Sequence, residues 1–173
     1  MSDFLRPVTE ADLPLLLQWR NSEQVRSFMY SSHLIGEDEH RRWFASTQGD
    51  ESKHPLVFMQ ADVPSGFVNI GSVKTGGIAD WGFYAAPGAA RGTGSRMGFC
   101  ALQYAFEQLK LHKLCGEALA YNDASRRFHL RLGFRQEGVL VDQYFDGVSY
   151  HDVIRFGLMS GEWTQQQTNN ARG

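Results

Sequence analysis

Cysteine is nearly absent: of 173 residues only Cys100 and Cys115 are cysteine, each inside an apolar segment. That excludes a disulfide framework and a thiolate metal site, and reduced, buried thiols point to the cytoplasm. A long hydrophobic run is also missing, since nowhere do about 18 apolar residues follow one another. The start, Met1-Ser2-Asp3-Phe4, lacks a basic stretch followed by an apolar one, so the chain reads as neither secreted nor membrane-bound. Charge of one sign is lacking as well. The 17 basic and 19 acidic residues leave a net −2, with no basic stripe, which excludes a nucleic-acid partner. Six histidines, His33, His40, His54, His112, His129 and His151, show no ligand spacing with carboxylates or thiols, so no metal is implied.

What is present is an ordinary globular composition, 42% hydrophobic, 13% aromatic and 21% charged. A chain of this length can bury roughly two-thirds of its unfolded surface in one core. One domain is expected over residues 1–163, with a polar, disordered tail over 164–173.

Thr9-x-x-Asp12 reads as a capping box and Val8 with Leu13 as a hydrophobic staple, opening a helix to about Asn21. Three acids, Glu37-Asp38-Glu39, mark a second helix start, after which His40, Trp43 and Phe44 share one face. Leu56 to Ala61, Phe67 to Lys74 and Ile78 to Tyr84 read as an antiparallel meander, with turns at Pro64-Ser65-Gly66 and Gly76-Gly77. A long, mostly apolar helix is expected from Gly94 to Leu111, then a strand from Leu114 to Ala120. Asn122 caps a helix through Leu132 that Gly133 stops, and strands near Gln136 to Phe145 and Tyr150 to Leu158 flank Asp146-Gly147.

The segment from Trp81 to Met97 carries the chemistry. A strand runs into a turn, Arg91-Gly92-Thr93-Gly94-Ser95-Arg96, that opens a helix, so backbone N–H groups and the positive end of the helix dipole converge where a pyrophosphate could sit. Arg91 and Arg96 can add charge-assisted hydrogen bonds. The Walker loop fails for want of Gly-Lys before Ser or Thr, and the Rossmann fingerprint fails because Met97 stands where a third glycine is needed.

Arg91-x-x-Gly94 resembles the phosphate loop of the GNAT acetyltransferases, with Arg96 a departure from the small residue usual at its end. Asn122-x-x-Ser125-x-x-x-His129-x-x-x-Gly133-Phe134 after the strand Leu114 to Ala120 is similar to the same family's second half. The resemblance implies a single-domain α/β fold whose mixed, mostly antiparallel sheet splays at its centre around acetyl-CoA. It also implies that Phe83 and Tyr84 offer backbone groups to the pantetheine. Residues Arg91 to Met97 (Arg91, Gly92, Thr93, Gly94, Ser95, Arg96, Met97) then hold the pyrophosphate, and Asn122, Ser125 and Phe128 line the thioester end. Asn122 reads equally as a helix cap, and Phe128 as core.

Amine acetylation needs a neutral amine and a proton for the departing thiolate. Glu117, mid-strand between apolar residues, is the leading base, against a plain reading as an exposed strand residue. His129 occupies the place where many family members carry a proton-donating tyrosine, and His40 is a further candidate that also reads as a packed histidine.

Trp19-Arg20-Asn21, Met29-Tyr30 and His40-x-x-Trp43-Phe44, together with Trp81 to Tyr84 and His112-Lys113, resemble the GNAT subfamily that acetylates a UDP-linked 4-amino-4,6-dideoxy sugar in pseudaminic acid synthesis, whose product feeds flagellin glycosylation. That resemblance implies acceptor contacts at Arg20, Asn21, Met29, Tyr30 and Trp43, and a homodimer is compatible with it. Competing readings are a GNAT acting on a protein N-terminus, as of a ribosomal protein, or on a polyamine, and a module that senses acetyl-CoA without turning it over.

Overall fold

A computed structural model describes residues 3–170. Seven strands form one sheet in the order β1-β2-β3-β4-β5-β7-β6. The expected meander is present as β2 (His54–Gln60), β3 (Val63–Lys74) and β4 (Ile78–Ala85), antiparallel throughout. Its first turn, however, falls at Ala61-Asp62, both at positive φ, and Pro64-Ser65-Gly66, expected as that turn, lies inside β3. To its outer side pairs a strand with no sequence signal, β1 (Phe4–Pro7), antiparallel to β2. On the far side β5 (Lys113–Leu119) lies beside β7 (Tyr150–Met159), which pairs with β6 (Arg135–Phe145).

The two halves of the sheet meet through β4 and β5 alone, in parallel, and their register ends after Ile78↔Lys113, Ala79↔Leu114 and Asp80↔Cys115. Beyond that point the strands diverge. The inner edges of Trp81–Ala85 and of Gly116–Leu119 therefore carry ladder groups with no strand between them, the splay expected for this fold.

Both faces of the sheet are covered, and β2 shows it residue by residue. Leu56 and Phe58 enter one core with α4 (Thr93–Gln103) and α5 (Asp123–Arg131), while Val57 and Met59 enter the other with α1 (Leu13–Asn21) and α3 (Glu37–Ala45). Alternation along a strand is what separates the two cores. A four-residue helix, α2 (Glu23–Arg26), follows α1 and leads into the segment 27–36 that crosses to α3. The entry to α1 is built as expected: the Thr9 N–H and hydroxyl both donate to the Asp12 carboxylate at 2.8 Å, and Val8 and Leu13 are buried together.

The long helix expected to Leu111 is α-helical only to Gln103 and widens into a π turn over Tyr104–Gln108. A second difference lies at the other end. Residues Ser160–Asn170 form a helix, α6, where disorder was expected from Thr164; Trp163 is 5% exposed and packs against Phe99 and Phe106, which anchors the helix. Residues 171–173 of that expected tail lie outside the described residues. Among the described residues no helix is long and apolar enough to cross a membrane.

Candidate active site

The opening between β4 and β5 is a cavity of about 760 Å³. Phe83 and Tyr84 of β4, Gly94 and Met97 of α4, and Asn122, Ser125 and Phe128 at the start of α5 all line it. Gly92 is the N-cap of α4 at φ +92°, a backbone conformation that side chains resist, so glycine is required there to turn the chain into the helix. Of the first N–H groups of α4, that of Thr93 donates to the Ala90 carbonyl at 3.1 Å, and those of Gly94 and Ser95 have no intrahelical acceptor. Arg91, Ser95 and Arg96 stand exposed around that end, Arg96 at 3.7 Å from Asp3. Thr93 departs from a direct ligand role: it is 2% exposed and its hydroxyl donates to Gln60 at 3.0 Å. Met97 is likewise packed in the core, at 1% exposure. Asn122 acts as the helix cap, its Oδ1 accepting the Ser125 N–H at 3.0 Å, while still facing the cavity.

These residues fit the coenzyme. An unpaired strand edge can extend its ladder to an amide-bearing arm, and a helix N-terminus flanked by arginine suits phosphate. Among the described residues no group of three or more His, Cys, Asp or Glu side chains comes together as a metal cage.

Glu117 projects from β5 into the opening with both carboxylate oxygens engaged. Oε2 accepts the Tyr30 hydroxyl at 2.6 Å, and Oε1 accepts Arg155 Nη1. Arg155 also donates through Nη2 to Asp80 at 3.0 Å. Burial, then the bond to Glu117, pushes the Tyr30 phenol above its ordinary pKa, so it stays a donor. Arg155 and Asp80 were not found from sequence, because only the pairing of β5 with β7 sets Arg155 opposite Glu117.

His129 is corrected as an acid. It is 1% exposed; its Nε2 faces the Trp81 indole N–H at 3.2 Å and its Nδ1 faces the Ser125 carbonyl at 2.9 Å. Indole N–H can only donate and a carbonyl can only accept, so the ring is the neutral Nδ1–H tautomer with both nitrogens committed. Burial pushes its pKa down, partly offset by the Ser125 contact. The thiols are no better as nucleophiles, since burial raises the pKa of both Cys100 and Cys115.

His40 lies elsewhere. With Arg20, Met29 and Trp43 it lines a smaller cavity of about 330 Å³, which shares Met29, Gly82, Phe83 and Tyr84 with the larger one. His40 is 7% exposed, stacks on Trp43 at 5.1 Å, and burial lowers its pKa, partly offset by the Leu13 backbone. Two buried polar atoms here have no partner among the described residues, Arg20 Nη1 and His40 Nε2. Asn21 is corrected as an acceptor contact: its amide donates to the Ile35 carbonyl at 2.9 Å and accepts the Ile35 N–H at 2.8 Å, so it ties segment 27–36 to α1. Tyr30 faces the larger cavity beside Glu117 instead of the smaller one.

Comparison with known proteins agrees with this geometry. The Acetyltransferase (GNAT) domain family matches residues 4–135. Acetyltransferase PseH of Campylobacter jejuni is 27% identical over 119 residues, 69% of this chain and 73% of that protein. YdaF of Bacillus subtilis, named as a candidate ribosomal N-acetyltransferase, is 34% identical over 62 residues, so the match spans 36% of this chain and about a third of that protein, 34%. The spermidine N-acetyltransferase from Vibrio cholerae, solved with CoA and spermine, superposes with a TM-score of 0.88 over 94% of this chain and 98% of that one, at 22% identity, which shows the fold alone. A forked sheet, a glycine-capped helix at its mouth and a family match running through both place the chain in the GNAT acetyltransferase family, as an acetyl-CoA-dependent N-acetyltransferase.

Proposed function

We propose that the acceptor is the 4-amino group of a UDP-linked 4-amino-4,6-dideoxy sugar and that Glu117 takes the amine's proton. The observation that carries the acceptor is the smaller cavity, where Arg20 Nη1 and His40 Nε2 lie buried without partners among Trp43, Phe67 and Tyr84. Arg20 Nη1 is a buried donor, costing about 1–3 kcal/mol when unpaired. The Nε2 of a neutral His40 whose other nitrogen meets the Leu13 backbone is an acceptor, so the site calls for anionic atoms at Arg20 and a donor at His40 beside an apolar ring face. A diphosphate and a deoxysugar offer both. The resemblance around Arg20, Met29, His40 and Trp43 supports the same acceptor.

A polyamine is the competing acceptor, being the substrate named for the Vibrio cholerae structural neighbour. A partly desolvated arginine in the acceptor cavity repels a polycation, an effect that Glu39 in the same lining offsets in part, and Asp80 and Glu117 are both already paired with Arg155.

Acetyl-CoA supplies the acetyl group as a thioester. The open edge of β4 at Phe83 and Tyr84 orients the pantetheine arm, and the start of α4 with Arg91 and Arg96 binds phosphate. Asn122, Ser125 and Phe128 line the reacting end. Glu117 Oε2 receives the amine proton, directly as Tyr30 yields its place or through the Tyr30 hydroxyl, which can accept one proton while donating its own. The amine nitrogen bonds to the acetyl carbon, the C–S bond breaks, and the coenzyme leaves as a thiolate that takes its proton from solvent in the open cavity. Coenzyme release measured with the UDP-amino sugar, spermidine and an N-terminal peptide tests the acceptor. The sugar should turn over fastest; faster turnover of either rival overturns it.

A further inference from the structure

The sheet opens where one cation sits. The last paired residues of β4 and β5 are Asp80 and Cys115, and Glu117 is two residues into the opening. On β7, Arg155 lies directly across from Glu117. Its guanidinium reaches over β5, with Nη1 on Glu117 and Nη2 on Asp80 at 3.0 Å. Three strands are thus tied by one side chain at the apex of the fork.

We propose that Arg155 is a positioning residue for the transfer reaction: by clamping Glu117 Oε1 and Asp80 together it aims Glu117 Oε2 at the amine and sets the separation of β4 and β5. This rests on the reading of Glu117 as the base. Stability does not account for the clamp. The side chains of Arg155, Glu117 and Asp80 are 34%, 28% and 42% exposed, and ion pairs this wet contribute only about 0–1 kcal/mol. Geometry accounts for it better. A planar guanidinium holds two carboxylates on different strands with two separate nitrogens, which a lysine ammonium reproduces only in part. Without it, two carboxylates face one another across the fork, and Glu117 regains the rotamer freedom that the clamp removes.

The arrangement also leaves a division of labour in the Glu117 carboxylate. Oε1 is committed to Arg155 inside the protein, and Oε2 meets Tyr30 from the segment 27–36, the element that also brings Met29 to the boundary of both cavities. A proton accepted on Oε2 leaves the Oε1 contact intact, so Glu117 can cycle between charge states without leaving its place.

The test is a double-mutant cycle with Arg155→Met, Arg155→Lys, Glu117→Gln and the Arg155→Met/Glu117→Gln pair, reading kcat, acceptor KM and acetyl-CoA affinity by calorimetry. Arg155→Met should lower kcat by about tenfold to a hundredfold with coenzyme affinity within about threefold, and Arg155→Lys should recover part of the loss. In the Glu117→Gln background, Arg155→Met should cost less than about threefold more, because it acts through Glu117. Fully additive losses, or wild-type kcat in Arg155→Met, overturn the positioning role. Wild-type turnover in Glu117→Gln overturns the base and the positioning role together, whereas an impaired Glu117→Gln with additive Arg155→Met removes only the latter. If Arg155→Met does not fold, Asp80→Asn carries the same cycle: a lower kcat that is non-additive with Glu117→Gln supports the clamp, and an unchanged kcat overturns it.

Discussion

The Trp81 indole donates to His129 Nε2 at 3.2 Å directly over Gly116, where a Cβ would collide with the imidazole and come within 2.7 Å of the indole nitrogen. The missing side chain at Gly116 and the buried pair are parts of one arrangement on the floor of the opening. From His129 the chain of contacts continues through the Ser125 carbonyl, and the Ser125 N–H reaches the Asn122 side chain. The imidazole therefore braces the start of α5, its one N–H committed to the Ser125 carbonyl. His129→Leu should leave the Trp81 N–H unpaired and cost about 1–3 kcal/mol of stability. Turnover per folded molecule should stay within about tenfold; a loss of about a hundredfold or more, the effect of deleting a general acid, would restore the catalytic role.

Acid should weaken the fold through His129 and His40. Burial lowers both pKa values, so the unfolded chain takes up their protons first. Their contribution is complete above about pH 6.5 and is lost as pH falls from there through the folded-state values, by at most about 1.4 kcal/mol per pH unit for each histidine. Urea unfolding at pH 7.5, 6.5 and 5.5 should show falling stability, and a shallower fall in His129→Leu. A fold equally stable at all three would contradict the buried neutral assignment.

The two glycines at the mouth of α4 should separate folding from binding. Gly92→Ala places a Cβ at φ +92° and should cost about 1–2 kcal/mol. At Gly94 a Cβ would lie 3.9 Å from Phe128, an ordinary contact, so Gly94→Ala should fold as the wild type does. Its acetyl-CoA affinity should nonetheless fall about tenfold or more, since the methyl occupies the approach to the helix N–H groups. Unchanged affinity by calorimetry would remove the phosphate assignment.

Arg20→Met tests the smaller cavity. Losing a charge-assisted contact of about 1.5–3 kcal/mol should raise KM for the UDP-sugar by roughly tenfold to a hundredfold. Any activity toward spermidine should be unchanged or rise, because a buried positive charge has gone. An equal loss on both acceptors would mean that Arg20 only supports the packing.

The local signals were legible in the sequence. The Thr9 and Asn122 caps, the Gly76-Gly77 turn and the glycine that opens α4 were read correctly, because each depends on residues within a few positions of one another. Other local readings missed for an equally physical cause: the first turn of the meander closes at Ala61-Asp62, β1 is four residues held by β2 and α4, and α6 is held by Trp163 in a distant core. The candidate site divides the same way. Glu117, Arg20 and His40 could be singled out by residue type, but which of them share a cavity could not. The bonds that decide it join residues far apart in the chain, 48 positions for Trp81 and His129, 38 for Glu117 and Arg155, and 87 for Tyr30 and Glu117. Composition, periodicity and turn residues determined that this chain would make a sheet packed by helices, one of them opened by a glycine turn. Strand register and burial, which exist only once distant segments pack, decided that His129 is a brace, that Asn21 ties down a segment, and that Arg155 stands at the fork beside Glu117.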